Sequence, residues 1–265
     1  MLLVIDAGNS NLTLGVYRSA ELLAQWRILT ERDKAAADYS SEIRELFTRD
    51  GVELKAVDGV AIASVVPQLD HALAAIAAND FGVTPLFVDH TTDTGLKLIY
   101  DNPAELGADR IVDAAAALAK YGAPCIVVDF GTATTFNAVN AAHEYLGGVI
   151  APGVMISAEA LFSRAAKLPR VEIKRPEKVI ATSTRGAMQS GLYHGYTGLV
   201  DGVLEQMIVE MGSQPRVIAT GGLAAVIAPA SKFIEKTDET LTLDGLRLIY
   251  ERKNSEKPST DYTEQ

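Results

Sequence analysis

One pattern occurs twice in this chain and limits its architecture more than any other feature. Leu2-Leu3-Val4-Ile5 is a short apolar run that ends on Asp6-Ala7-Gly8-Asn9-Ser10-Asn11, after which Leu12, Leu14 and Val16 alternate with Thr13, Gly15 and Tyr17. A buried run, a tip of turn formers and an alternating return spell a β-hairpin with a small polar tip. Ile126-Val127-Val128-Asp129-Phe130-Gly131-Thr132-Ala133-Thr134 repeats the design. Setting Asp6 on Asp129, an offset of 123 residues, aligns Val4 with Val127, Gly8 with Gly131 and Val16 with Val139. A chain that opens the same way twice is expected to form two related α/β halves.

The remaining pattern fits that expectation. A third strand is predicted around Leu22–Ile28, a helix over 38–50 with Ile43, Leu46 and Phe47 at helical spacing, a strand over Gly59–Val66 ended by Pro67, a helix over 68–80 and a strand over Pro85–Val88. Residues 93–106 carry turn formers, and Ala108–Lys120 reads as an alanine-rich helix. A further strand meets a glycine pair in Val217-Ile218-Ala219-Thr220-Gly221-Gly222. The halves are expected to be 1–118 and 119–251, with 252–265 a polar, flexible tail. A cleft between two halves is a natural place for a ligand.

Composition narrows the function classes. Lys+Arg 24 against Asp+Glu 34 gives a net charge of −10, which argues against a nucleic-acid surface, since phosphate neutralisation needs basic residues. The single cysteine, Cys125, excludes an internal disulfide and a thiolate-rich zinc site. No apolar run reaches the roughly 18 residues of a membrane span, and Met1–Ile5 lacks the charged flank of a signal peptide. A soluble, cytoplasmic protein is expected.

The two turns suggest chemistry. Gly8, Asn9 and Ser10 at a tight tip can present several backbone N–H groups to an anion. Asp6 beside such a cradle would repel phosphate unless a cation stood between them, and hydrated Mg²⁺ has the right preference for oxygen ligands and phosphates. Asp129 with Gly131, Thr132 and Thr134 repeats the arrangement, and two facing phosphate loops suit a nucleoside triphosphate. Asp-x-Gly is also ordinary turn composition; its recurrence directly after a buried strand is what favours the functional reading. The chain has no Gly-x-x-x-x-Gly-Lys-Ser/Thr, and no Gly-x-Gly-x-x-Gly follows its first strand. Gly221-Gly222 would let an adenine or ribose lie against the backbone, or would simply make a tight turn.

Asp6-Ala7-Gly8-Asn9-Ser10, Gly107-Ala108-Asp109-Arg110, Asp129-Phe130-Gly131-Thr132-Ala133 and Gly221-Gly222 occur in this order. The set resembles the type III pantothenate kinases, of the acetate and sugar kinase, Hsp70 and actin superfamily, from Leu2 to about Tyr250. The phosphate motifs alone would indicate only the superfamily; Gly107-Ala108-Asp109-Arg110 narrows it. Ser10 stands where threonine is common, which keeps the hydroxyl.

The resemblance implies an α/β fold of two related ribonuclease H-like domains with mixed sheets and an active-site cleft between them. It implies ATP-dependent phosphorylation of pantothenate to 4'-phosphopantothenate, the first step of coenzyme A biosynthesis, by a homodimer that needs Mg²⁺ and a monovalent cation (K⁺ or NH₄⁺). By the same resemblance Asp6, Ala7, Gly8, Asn9, Ser10, Asn11, Leu12 and Thr13 surround the ATP phosphates and Thr132 contacts ATP. Gly221 and Gly222 join them as nucleotide-binding candidates. Asp129 holds the monovalent cation, and Asp6 holds Mg²⁺ directly or through water. Tyr100, Gly107, Ala108, Asp109, Arg110 and Thr184 contact pantothenate, and Asp109 accepts the proton.

These roles suit the residue types. Phosphoryl transfer to an alcohol needs a group to take the hydroxyl proton, and a carboxylate can do so. A guanidinium pairs with a substrate carboxylate. Each also has a plainer reading: Asp109 as an acid in a helix's first turn, Arg110 as a surface ion pair, Tyr100 as loop packing, Thr184 as an N-cap. Asp113 is given no role. His71, His90, His143 and His194 show no metal-ligand pairing, and Cys125 and Trp26 read as core. The competing functions are another small-molecule kinase of the superfamily, or a regulatory accessory protein for transcription.

Overall fold

The computed structural model describes residues 1–165 and 167–255. Strands β1 (Leu2–Ala7), β2 (Asn11–Arg18) and β3 (Glu21–Leu29) lead into helix α1 (Ala36–Arg49). Then come β4 (Gly59–Ser64), α2 (Pro67–Phe81), β5 (Leu86–Phe87), β6 (Lys97–Leu98) and α3 (Ala108–Tyr121). The rest of the chain forms β7 (Cys125–Phe130), β8 (Ala133–Val139), β9 (Glu144–Pro152), α4 (Val154–Arg164), α5 (Thr184–Met211), β10 (Arg216–Thr220), α6 (Ala224–Ile227), β11 (Lys236–Thr237) and α7 (Leu241–Ser255).

The contacts divide the chain into two units. Unit 1 holds Met1–Gly95, Ala104–Ala116 and the chain from Thr242 onward; unit 2 holds Leu96–Pro103 and Ala117–Leu241.

The unit 1 sheet has the order β3-β2-β1-β4-β5. β1 is antiparallel to β2 and parallel to β4, while β2 is antiparallel to β3 and β4 is parallel to β5. The unit 2 sheet runs β11-β10-β7-β8-β9-β6. Read from β9, the order β9-β8-β7-β10-β11 has the same directions, with β6 added parallel to β9 at the edge. The repeat seen in sequence is therefore a repeat of topology: three antiparallel strands, then two parallel ones, the ribonuclease H-like mixed sheet.

In unit 1, Leu3, Ile5 and Leu14 meet Tyr39, Ile43 and Phe47 of α1 and Leu69, Leu73 and Ile76 of α2. Tyr39, Ile43 and Phe47 recur every four residues, so they fall on one face of α1. Full burial of each such side chain contributes about 1.5–3 kcal/mol. Gly15 and Tyr17, which alternate with Leu14 and Val16 along β2, are buried as well. The reason is the last helix: a Cβ on Gly15 would lie 3.1 Å from Leu243, and Gly245 of α7 packs on Val112 of α3. In unit 2, Ile126, Val128, Phe130 and Phe136 pack against Leu192, Tyr196, Val200 and Leu204 of α5.

Two boundaries differ from expectation. The strand beginning at Gly59 stops at Ser64, and Pro67 is the first turn of α2 rather than only the end of a strand. Proline at N1 loses no hydrogen bond and has the φ a helix needs. Residues 252–255, expected in a tail, continue α7. Positions 256–265 of that predicted tail lie outside the described residues.

Candidate active site

The first phosphate-loop candidate is the β1–β2 turn. Asp6 lies at the end of β1, in register with Thr13 of β2 and Ala63 of β4. Gly8 N–H donates to Asn11 O at 3.0 Å and closes the turn. A Cβ on Gly8 would lie 3.2 Å from that oxygen, so glycine gives the tight closure. Asn9 and Ser10 are exposed at the tip; Ala7 and Leu12 are buried, so any ligand contact from those two runs through their backbone.

Asp109 stands in the first turn of α3, and Arg110 N–H donates to its Oδ1 at 2.7 Å. A Cβ at Gly107 would come within 2.6 Å of the same oxygen, so a side chain there would push this carboxylate aside. Asp109 keeps part of its surface open to solvent but is otherwise enclosed, and this burial raises its pKa above the usual carboxylate range. The Arg110 N–H and the Arg110 charge oppose the rise without cancelling it. A carboxylate so placed is a better proton acceptor near neutral pH than an exposed one. Arg110 is 7% exposed, which removes the surface ion pair as its alternative. Asp113 is buried and accepts from Thr242 Oγ1 at 2.7 Å, a tie between α3 and α7.

In unit 2, Asp129 is the second-last residue of β7, in register with Thr135 of β8 and Thr220 of β10. Two glycines wall its carboxylate. A Cβ on Gly131 would lie 2.9 Å from Oδ2, and one on Gly221 would lie 2.3 Å from Oδ1. Gly221 also has φ +89°, a conformation that side chains rarely adopt. Thr132 is exposed beyond this turn, and Gly153 lets the chain pass close to Thr132 O. Gly222 is exposed next to Gly221.

Tyr100 follows β6 and is half-buried, its ring 6.2 Å from that of Tyr145. Behind it Tyr145 donates its hydroxyl hydrogen to Asn137 Oδ1 at 2.9 Å, both side chains being fully buried. Thr184 is the first residue of α5, but the N-cap is Ser183, whose Oγ accepts from Gly186 N–H at 3.1 Å. The exposed Thr184 instead lines an apolar cavity of about 550 Å³ with Pro152, Ser157, Leu161 and Tyr196. Cys125 is buried and its thiol pKa is pushed up to about 12. Trp26 is core, with Nε1 donating to Asp50 Oδ2 at 2.6 Å.

Sequence reasoning missed the segment that crosses the first turn. Thr30 N–H donates to Ser10 O at 3.1 Å, Thr30 Oγ1 donates to Gly8 O at 2.6 Å, and Arg32 donates to Asn9 Oδ1 at 3.0 Å. Nothing in the charged run Glu31-Arg32-Asp33-Lys34 singles out Arg32.

The residues also bear on cations. Among the described residues no group of three His, Cys, Asp or Glu side chains forms a cage. Single carboxylates, Asp6 and Asp129, fit ions that share oxygen ligands with phosphates and water.

The duplicated sheet and its two Asp-Gly turns define a class. A Campylobacter jejuni chain assigned to the Baf family of transcriptional activators superposes with TM-score 0.61 at 18% identity, covering 96% of this chain and 99% of its own. A Porphyromonas gingivalis chain assigned as an N-acetylglucosamine kinase does so with TM-score 0.52 at 12% identity, covering 96% and 100%. At these identities the likeness shows the fold alone.

Sequence relatives are more specific. The type III pantothenate kinase family model matches residues 2–206. A Koribacter versatilis protein named type III pantothenate kinase is 52% identical over 265 residues, covering 96% of this chain and 97% of that one. A Geobacter sulfurreducens protein of the same name is 52% identical over 252 residues, covering 95% and 99%. The chain belongs to the type III pantothenate kinase family. It is thereby an enzyme, a kinase, with ATP as phosphoryl donor and a divalent metal ion as helper. No described helix is long and apolar enough to cross a membrane.

Proposed function

We propose that the chain transfers the terminal phosphoryl group of ATP to the primary hydroxyl of pantothenate, giving 4'-phosphopantothenate and ADP as the first step of coenzyme A biosynthesis. The observation that carries this reading is identity of about half to proteins of that name over nearly the whole chain. The site chemistry agrees with it.

Asp109 takes the hydroxyl proton as the pantothenate oxygen bonds to phosphorus and the bond from phosphorus to the ADP oxygen breaks. Arg110 pairs with the substrate carboxylate, helped by the amides at the start of α3. Tyr100 and Thr184 complete the acceptor contacts, and the backbone from Asp6 to Thr13 cradles the phosphates. Thr132, Gly221 and Gly222 contact the nucleotide. Asp6 would hold Mg²⁺, directly or through water, and Asp129 would hold K⁺ or NH₄⁺ between its glycine walls. Bound there, these cations neutralise phosphate charge.

The protein acts as a homodimer, seated on α4 and α5. Met155, Ile156, Leu161 and Phe162 of α4 are exposed, Leu161 lines the apolar cavity, and space beside Gly191, Gly195, Gly198 and Gly202 of α5 is open. A second copy covers such a face. Light scattering should give twice the 28.3 kDa chain mass; a monomer at working concentration rejects the dimer. The cell compartment of this reading is the cytoplasm. The retained Asp6, Asp109 and Asp129 favour catalysis over the regulatory alternative, which has no need of a proton acceptor. An assay of phosphopantothenate formation with Mg²⁺ and K⁺ tests the function: absence of product from folded protein rejects it.

A further inference from the structure

The β1–β2 turn is braced by a segment that is itself anchored. Tyr39 of α1 is fully buried, accepts from Glu31 N–H at 2.7 Å and donates to Glu31 O at 3.1 Å. Thr30, one residue earlier, binds Gly8 O and Ser10 O as described. Two carbonyls of the turn are thereby occupied, which lowers the negative potential that an arriving phosphate meets. The segment holds its place by bonds on both sides, so Arg32 is presented at the turn by a built scaffold.

Arg32 is exposed and spends one donor on Asn9 Oδ1, out of the five a guanidinium carries. Among the described residues no carboxylate forms an ion pair with it. Lys34 takes Glu31, at 3.2 Å, and Glu42, at 2.7 Å. An arginine with unspent donors at an anion cradle, and no acid to neutralise it, is suited to phosphate oxygens.

We propose that Arg32 binds the terminal phosphate of the nucleoside triphosphate, orienting it and neutralising charge on it during transfer. This rests on the kinase reading above. Asn9 holds the guanidinium at the turn, and the remaining N–H groups meet the phosphate. Binding at the terminal phosphate makes the residue a determinant of triphosphate over diphosphate.

The test compares wild type with Arg32→Ala and Arg32→Lys, with Mg²⁺ present, by steady-state kinetics and by equilibrium titration of ATP and ADP. Thermal denaturation confirms folding. Arg32→Ala should lower kcat/KM for ATP by about tenfold or more, the worth of a charge-assisted hydrogen bond, and leave KM for pantothenate unchanged. ATP affinity should fall and ADP affinity should hold, and Arg32→Lys should recover part of the loss. Equal loss of ATP and ADP affinity, or unchanged kinetics, would overturn the proposal; equal loss marks a brace for the turn only. If wild type makes no phosphopantothenate, the kinase reading fails instead, and the ATP-against-ADP titration still decides the role of Arg32.

Discussion

Asp109 is where sequence, geometry and chemistry meet in one side chain. Its carboxylate has a hydrogen bond from Arg110 N–H, yet enclosure still raises its pKa. The proton acceptor works only when ionised, so kcat/KM should fall as pH drops through a value above the ordinary carboxylate range. A wild-type profile that stays flat down to pH 4 contradicts this. Folding also favours the protonated form, so the contribution of this group to stability is present at low pH and is lost as pH rises through the raised value. Asp109→Asn should therefore lose about a hundredfold or more in kcat, keep ATP affinity, and melt above wild type at neutral pH, with the gap closing on acidification. Calorimetry across pH reads the last point, and a variant that melts lower at every pH refutes it. Thr134 makes a simpler case. Its hydroxyl is buried with no hydrogen-bond partner among the described residues, so Thr134→Val should stabilise by about 1 kcal/mol in a denaturant titration. Destabilisation by the same amount would mean the hydroxyl has a partner.

At the scale of elements, glycines decide where chain and carboxylate can approach. Gly221→Ala would put a methyl 2.3 Å from Asp129 Oδ1 at a residue with φ +89°. It should displace that carboxylate and raise the concentration of K⁺ needed for activity, read from a cation titration; an unchanged requirement would separate Asp129 from the cation. Ser183→Ala removes the cap of α5 and should cost about 1 kcal/mol of stability. Both hairpins were legible because burial, turn chemistry and alternation all point one way between Leu2 and Val16 and again after Cys125. The second face of the unit 1 sheet was not. Gly15 and Tyr17 look solvent-facing until α7, more than two hundred residues later, is placed over them, and no local pattern records that packing. Thr30 and Arg32 escaped for the same reason: their importance comes from the turn they cross, not from their neighbours in sequence.

For the whole molecule, the duplicated sheet explains why two aspartates from distant parts of the chain occupy equivalent places. Asp6 and Asp129 are each the second-last residue of an inner strand, β1 and β7, in sheets that share the same order and directions. The motifs that mark them were visible in the sequence, as was Gly107–Arg110; how tightly Asp109 is enclosed was not, because burial is a property of the assembled unit. The function proposed for this fold is phosphorylation of pantothenate with ATP. The most direct measurement is mass-spectrometric detection of product from purified protein, ATP, Mg²⁺ and pantothenate, in K⁺ and in Na⁺. The expected result is 4'-phosphopantothenate and an equal amount of ADP, with K⁺ the stronger salt. Folded protein that binds ATP and yields no phosphopantothenate in either salt would contradict it.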